Sequence, residues 1–115
     1  MSLNTAGYIV AGAAAEIADG AYTVVEAGEH SVLVANLDGE FFAVENRCSH
    51  VSSPLDGGRV RRGRIACPLH GAVYDLRTGA SLAGTLAPRG LRTFATRVED
   101  GTVWVASQPS FLGAV

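Results

Sequence analysis

Apolar and polar positions alternate along this chain in short runs with the period of strands, not helices. Tyr22-Thr23-Val24-Val25 and Ser31-Val32-Leu33-Val34-Ala35 are rich in β-branched residues and bounded by Gly or Asp, the composition that suits a pleated, packed surface. Asn36-Leu37-Asp38-Gly39-Glu40 leads into Phe41-Phe42-Ala43-Val44, and an Asp-Gly pair between two apolar runs predicts a hairpin. Leu91 to Val98 and Thr102 to Ala106 are expected to form another hairpin through Glu99-Asp100-Gly101, with Trp104 in the core. Ala11 to Ala15 reads as a short helical piece, Glu16 to Gly20 as a turn, and the tail from Gln108 as packing Phe111 and Leu112 onto the sheets or fraying. Many short strands with regularly placed turns predict an all-β fold, an antiparallel sandwich or barrel.

Length and composition narrow the class. A chain of 115 residues fits one domain, residues 1–115, and buries roughly two thirds of its unfolded surface without needing disulfide staples. The apolar stretch from Ile9 to Ala15 is too short to span a bilayer. No basic segment precedes it, so neither a membrane anchor nor a secretory signal is expected. The formal net charge is −2, and basic residues are not interleaved with aromatic ones, which argues against nucleic-acid binding. The charge is unevenly spread. Met1 to Arg47 carries seven acidic residues against one arginine, Cys48 to Arg97 two acidic residues against eight arginines, and lysine is absent.

The candidate chemistry lies between Cys48 and Asp75. Cys48-Ser49-His50 is followed, after an insert, by Cys67-Pro68-Leu69-His70-Gly71, so both cysteines and two of the 3 histidines stand in two Cys-His pairs. A cysteine and a histidine with one or two residues between them can aim their side chains into one small volume only from a tight loop. Pro68 fixes its own φ, and Gly71 lets the chain leave at dihedrals closed to other residues. Gly57 and Gly58 allow the insert to bend back so that the two loops can meet. Two thiolates and two imidazoles suit zinc or iron-sulfur chemistry and disfavour calcium, magnesium or manganese. Structural zinc remains open on this ground, although zinc fingers usually present paired Cys and then paired His. A disulfide would leave the repeated Cys-His pairing unexplained. His30, beside Glu29, is read as a solvated turn side chain.

Cys-x-His, a gap of this length and Cys-x-x-His resemble the Rieske signature, and Tyr74-Asp75 with Thr78-Gly79 extends the likeness past the second loop. The resemblance implies one 2Fe-2S cluster, with Cys48 and Cys67 on one iron and His50 and His70 on the other. It also implies a cluster-binding subdomain of two loops, about residues 45–85, inserted in the β base, with Pro88 in a covering loop. The protein would then be an electron carrier and not an enzyme, since every ligand position on the irons is filled. In the family it resembles, small Rieske ferredoxins pass electrons from a flavin-containing, NAD(P)H-oxidising reductase to a terminal ring-hydroxylating oxygenase in the cytoplasm. Having only ligand cysteines fits that reducing compartment. A Rieske subunit of a nitrite or arsenite type enzyme is the alternative within redox chemistry, and a zinc-stabilised interaction module the alternative outside it.

Rieske potentials span about −150 to +300 mV. The high-potential members carry an extra disulfide where this chain has Ser53 and Leu69, and a serine donor where it has Ala72, which implies a low potential here; Tyr74 stands where a tyrosine donates to a cysteine sulfur and works the other way. Imidazoles of His50 and His70 facing a partner would make the potential fall as pH rises. Arg59, Arg61, Arg62 and Arg64 in the insert read either as solvated turn residues or as a basic collar near the cluster that steers partners with acidic docking surfaces.

Overall fold

The computed structural model describes residues 7–48, 53–69, 71–82 and 89–112, and for Phe111 and Leu112 the backbone alone. Its strands are β1 (Tyr8–Ala13), β2 (Tyr22–Ala27), β3 (His30–Leu37), β4 (Glu40–Glu45), β5 (Arg59–Arg61), β6 (Arg64–Ala66), β7 (Val73–Asp75), β8 (Arg92–Phe94), β9 (Thr96–Glu99), β10 (Thr102–Ala106) and β11 (Phe111–Leu112). They form a five-stranded sheet in the order β11-β8-β4-β3-β2 and two three-stranded sheets, β1-β10-β9 and β5-β6-β7, with every ladder antiparallel.

β3 explains the layering. Every residue from Val32 to Leu37 is buried, so this strand is covered on both faces, as a short unbroken apolar run allows. Leu33, Ala35 and Leu37 join one cluster with Val44, Leu55, Ile65, Tyr74, Leu76 and both cysteines. Val32 and Val34 join the other with Phe94, Val103 and Val105. The five-stranded sheet is therefore the middle layer between the two smaller ones. Three tight turns have consecutive left-handed residues, Asp38-Gly39, Arg62-Gly63 and Asp100-Gly101, the conformation that matches the twist of paired strands.

Four local expectations need correction. Ala11 to Ala13 belongs to β1, and only Ala14–Glu16 is helical, as a single 3-10 turn; the pairing of β1 with β10 slips between Val10 and Gly12. The run from Leu91 to Val98 is two strands, because the chain leaves the middle sheet at Phe94 and enters an outer one at Thr96. Trp104 is half-buried and outside both clusters, since Val103 and Val105 take the inward positions of β10. His30 is no free turn residue: it opens β3 with its ring edge-on to Phe94, centroids 5.4 Å apart.

Candidate metal centre

The third sheet, β5-β6-β7, lies wholly within the segment that leaves the middle sheet after β4 and returns to it at β8. Cys48 follows β4 by three residues, and Cys67 follows β6 directly. Both are buried, at 0% and 2% exposure, within the same side-chain cluster, and neither is in a disulfide. The backbone around each is tied off locally. The Cys48 amide donates to the Ser53 carbonyl at 2.7 Å. The Cys67 amide donates to the Ala72 carbonyl at 2.7 Å, while the Gly71 amide returns a bond to the Cys67 carbonyl at 3.0 Å. Gly71 takes φ +76, and a Cβ there would meet nothing within 4 Å; its freedom is needed for the turn and not for space.

Tyr74, fully buried on β7, brings its hydroxyl to 3.3 Å from Cys48 Sγ. A thiolate carries no proton, so against a metal-bound sulfur the phenol is the donor. Ala72 is also fully buried, and its methyl side chain offers no donor. Leu69, at the loop tip, is 61% exposed.

The first loop is held from below by two side chains that the local sequence pattern does not mark. The Tyr22 hydroxyl on β2 accepts from the Gly57 amide at 2.7 Å and donates to the Gly58 carbonyl at 3.0 Å. Asn46 Oδ1 accepts from the Leu55 and Asp56 amides at 2.8 and 3.0 Å, and its Nδ2 donates to Asp56 Oδ1 and Ser31 Oγ at 3.0 and 3.3 Å. Gly58 is required by closeness, because a Cβ there would lie 2.2 Å from the Ala66 carbonyl oxygen. Ala66 immediately precedes Cys67, so this approach seats the first loop against the root of the second. At the exit, the Arg92 amide donates to Glu45 Oε1 at 3.0 Å.

Two buried cysteine sulfurs not joined in a disulfide, in an apolar surround, are a soft donor pair, suited to iron-sulfur or zinc and unsuited to hard cations. Of the candidate site residues, Cys48, Cys67, Tyr74 and Ala72 share one side-chain cluster; His50, His70 and Pro88 lie outside the described residues. Among the described residues no group of three His, Cys, Asp or Glu converges.

The arginines of the insert form a face running away from the second loop, not a collar around it. Arg59 pairs with Ala66, next to Cys67, whereas Arg61 pairs with Arg64 at the hairpin end and Arg62 occupies the turn. Arg62 and Arg77 border an open cleft with Asp19 and Asp38, and the Arg77 guanidinium stacks 5.4 Å from the Phe42 ring centroid. No helix among the described residues is long and apolar enough to cross a membrane.

Comparison with known proteins agrees with this arrangement. Residues 7–95 match the model of the Rieske [2Fe-2S] domain. The biphenyl 2,3-dioxygenase ferredoxin component of Rhodococcus jostii is 37% identical over 90 residues, covering 78% of this chain and 83% of that protein. The 3-phenylpropionate/cinnamic acid dioxygenase ferredoxin subunit of Photorhabdus laumondii is 36% identical over 91 residues, covering 78% and 85%. Human apoptosis-inducing factor 3 is 33% identical over 97 residues, but the match spans 84% of this chain and only 16% of that protein. Among solved structures, the ferredoxin of carbazole 1,9a-dioxygenase from Nocardioides aromaticivorans aligns with a TM-score of 0.82 at 26% identity, over 88% of this chain and 98% of that one. A chain in the complex of reduced oxygenase and oxidized ferredoxin of carbazole 1,9a-dioxygenase aligns with a TM-score of 0.86 at 25% identity, over 91% and 97%. Because the family match takes in both cysteine loops and the strands that hold them, the chain belongs to the Rieske [2Fe-2S] domain family.

Proposed function

We propose that this protein is a one-electron carrier of the Rieske ferredoxin kind, taking electrons from a flavin-containing, NAD(P)H-dependent reductase and delivering them to a terminal aromatic-ring-hydroxylating oxygenase in the cytoplasm. The observation that carries the reading is the convergence of Cys48 and Cys67, both buried and neither in a disulfide, in one side-chain cluster with Tyr74. Cys48 and Cys67 would hold one iron of a 2Fe-2S cluster and His50 and His70 the other. That group, when bound, accepts and releases a single electron at a potential raised by its two neutral imidazoles. The chain's part is to hold it. Tyr22 and Asn46 fix the first loop, the turn from Cys67 to Ala72 fixes the second, and Tyr74 supplies a donor to the Cys48 sulfur in a place closed to water. Relatives that are ferredoxin parts of dioxygenases, and the solved oxygenase-ferredoxin complex, favour this reading over a nitrite or arsenite type subunit and over a zinc module.

The test is direct. Protein purified without oxygen should be red-brown and contain iron and acid-labile sulfide in equal amounts. Its reduced form should give an EPR signal whose average g lies below that of all-cysteine clusters. A colourless, zinc-containing protein would refute the proposal, as would a visible spectrum unchanged by replacing both His50 and His70 with Ala.

A further inference from the structure

On the outer face of the third sheet, Arg59, Arg61 and Arg64 are all exposed and border, with Ala66 and Val73, an open hollow of about 500 Å³. Strand alternation puts Val60, Ile65 and Tyr74 on the opposite, packed face, so no long apolar side chain of these strands covers the arginines. Among the described residues, none of these three guanidinium groups has an ion pair or a hydrogen bond. The one acid on the sheet is Asp75, in register with Arg64, and its Oδ1 already accepts the Arg77 and Thr78 amides. At the end of the sheet nearest Cys67 the surface turns apolar: Leu69 and Leu82 are 61% and 47% exposed, and the Leu82 amide bonds the Val73 carbonyl.

We infer, resting on the carrier reading, that this arginine face is a docking surface for a carboxylate-rich surface of a protein redox partner. The apolar end at Leu69, Val73 and Leu82 makes the close contact and the arginines orient the approach. An apolar spot with a charged flank is the anatomy of a transient protein interface, and a one-signed face raises the encounter rate with an oppositely charged partner. The chain's overall charge of −2 would by itself repel such a partner, so the effect belongs to this face. The hollow has no aromatic ring on which a nucleic-acid base could stack.

The probes are two haem proteins of opposite surface charge, acidic cytochrome b5 and basic cytochrome c. The holoprotein is reduced with dithionite and mixed with each in a stopped-flow instrument. Each productive encounter moves one electron, oxidising the carrier and converting ferric haem to ferrous. With cytochrome b5 the bimolecular rate should fall as salt rises from about 20 to 500 mM. The charge reversal R59E/R61E/R64E should lower the low-salt rate about tenfold or more and invert its salt dependence, while the cluster's visible spectrum and potential stay unchanged. The neutral R59Q/R61Q/R64Q should fall between. A wild-type rate with cytochrome b5 that rises with salt overturns the inference without any variant, and so does an unchanged rate in a folded triple variant. A salt-sensitive dimer abolished by R59E/R61E/R64E would assign the face to a second copy and also overturn it. Failure to reduce either cytochrome would instead refute the carrier reading.

Discussion

Replacing Tyr74 by Phe removes one oxygen atom and nothing else from the buried surroundings of Cys48. Tyr74 is 0% exposed, so no water takes the place of the hydroxyl that stands 3.3 Å from Cys48 Sγ. A hydrogen bond to a charged acceptor is worth about 1.5–3 kcal/mol. Only the difference between its strength in the two oxidation states moves a potential. Reduction adds negative charge that the sulfurs share, so the bond is stronger in the reduced state. If the difference is about a third to a half of the whole, it is about 1 kcal/mol. For a one-electron couple a tenfold change in equilibrium constant corresponds to about 59 mV, so Tyr74→Phe should lower the potential by about 40 mV. Spectroelectrochemical titration of wild type and variant at the same pH and salt measures it. A shift of less than about 10 mV, or any upward shift, would refute the claim that the phenol donates to a sulfur of the redox centre.

Ala72→Ser is the converse experiment. It restores a donor in the turn after Cys67 and should raise the potential, read in the same titration; a lowered potential would place the new hydroxyl elsewhere. Tyr22→Phe removes two bonds from the Gly57-Gly58 corner and should cost about 1–3 kcal/mol in denaturant unfolding, with faster amide exchange at Gly57; an unaltered midpoint would mean the loop stands without the pin. Gly58→Ala places a Cβ 2.2 Å from a backbone carbonyl and should abolish cluster retention. Gly101→Ala, with open space around it and φ +76, should cost only about 1–2 kcal/mol and leave the visible spectrum intact. Equal behaviour of the two glycine variants would contradict the packing of the first loop on the second.

What the sequence shows plainly is what is settled locally. Asp38-Gly39 and Asp100-Gly101 are readable as turns because the left-handed dihedrals they adopt are ones most other residues resist. The run from Val32 to Ala35 reads as a strand, but that it is covered twice depends on two layers supplied from distant segments. The Leu91 to Val98 error has the same origin: apolar periodicity reports which face is buried and does not reveal that the chain changes sheets at Ala95. Trp104 could have been placed, since Val103 and Val105 alternate around it. The helical reading of Ala11 to Ala15 followed alanine propensity, which pairing with β10 overrode. Of the site, the two Cys-His pairs stand out because their ligands are close in sequence. Tyr22 and Asn46 do not, because their bonds reach across 35 and 10 positions and neither residue belongs to a recognisable pattern. The first two strands of the third sheet are marked in the sequence only by Arg59-Val60-Arg61 before, and Arg64-Ile65-Ala66 after, the Arg62-Gly63 turn, runs too short to stand out by periodicity.

β4 and β8 are hydrogen-bonded neighbours, with Ala43 opposite Phe94 and Val44 opposite Thr93, so everything from Asn46 to Leu91 departs and comes home on adjoining strands, about 5 Å apart. Such a doorway would let the segment between β4 and β8 be transplanted as a cassette onto a recipient with two antiparallel neighbours and an apolar patch like that of Leu33, Ala35 and Val44 beneath it. The same geometry lets the host layers vary at their far faces while the electron-carrying part stays unaltered.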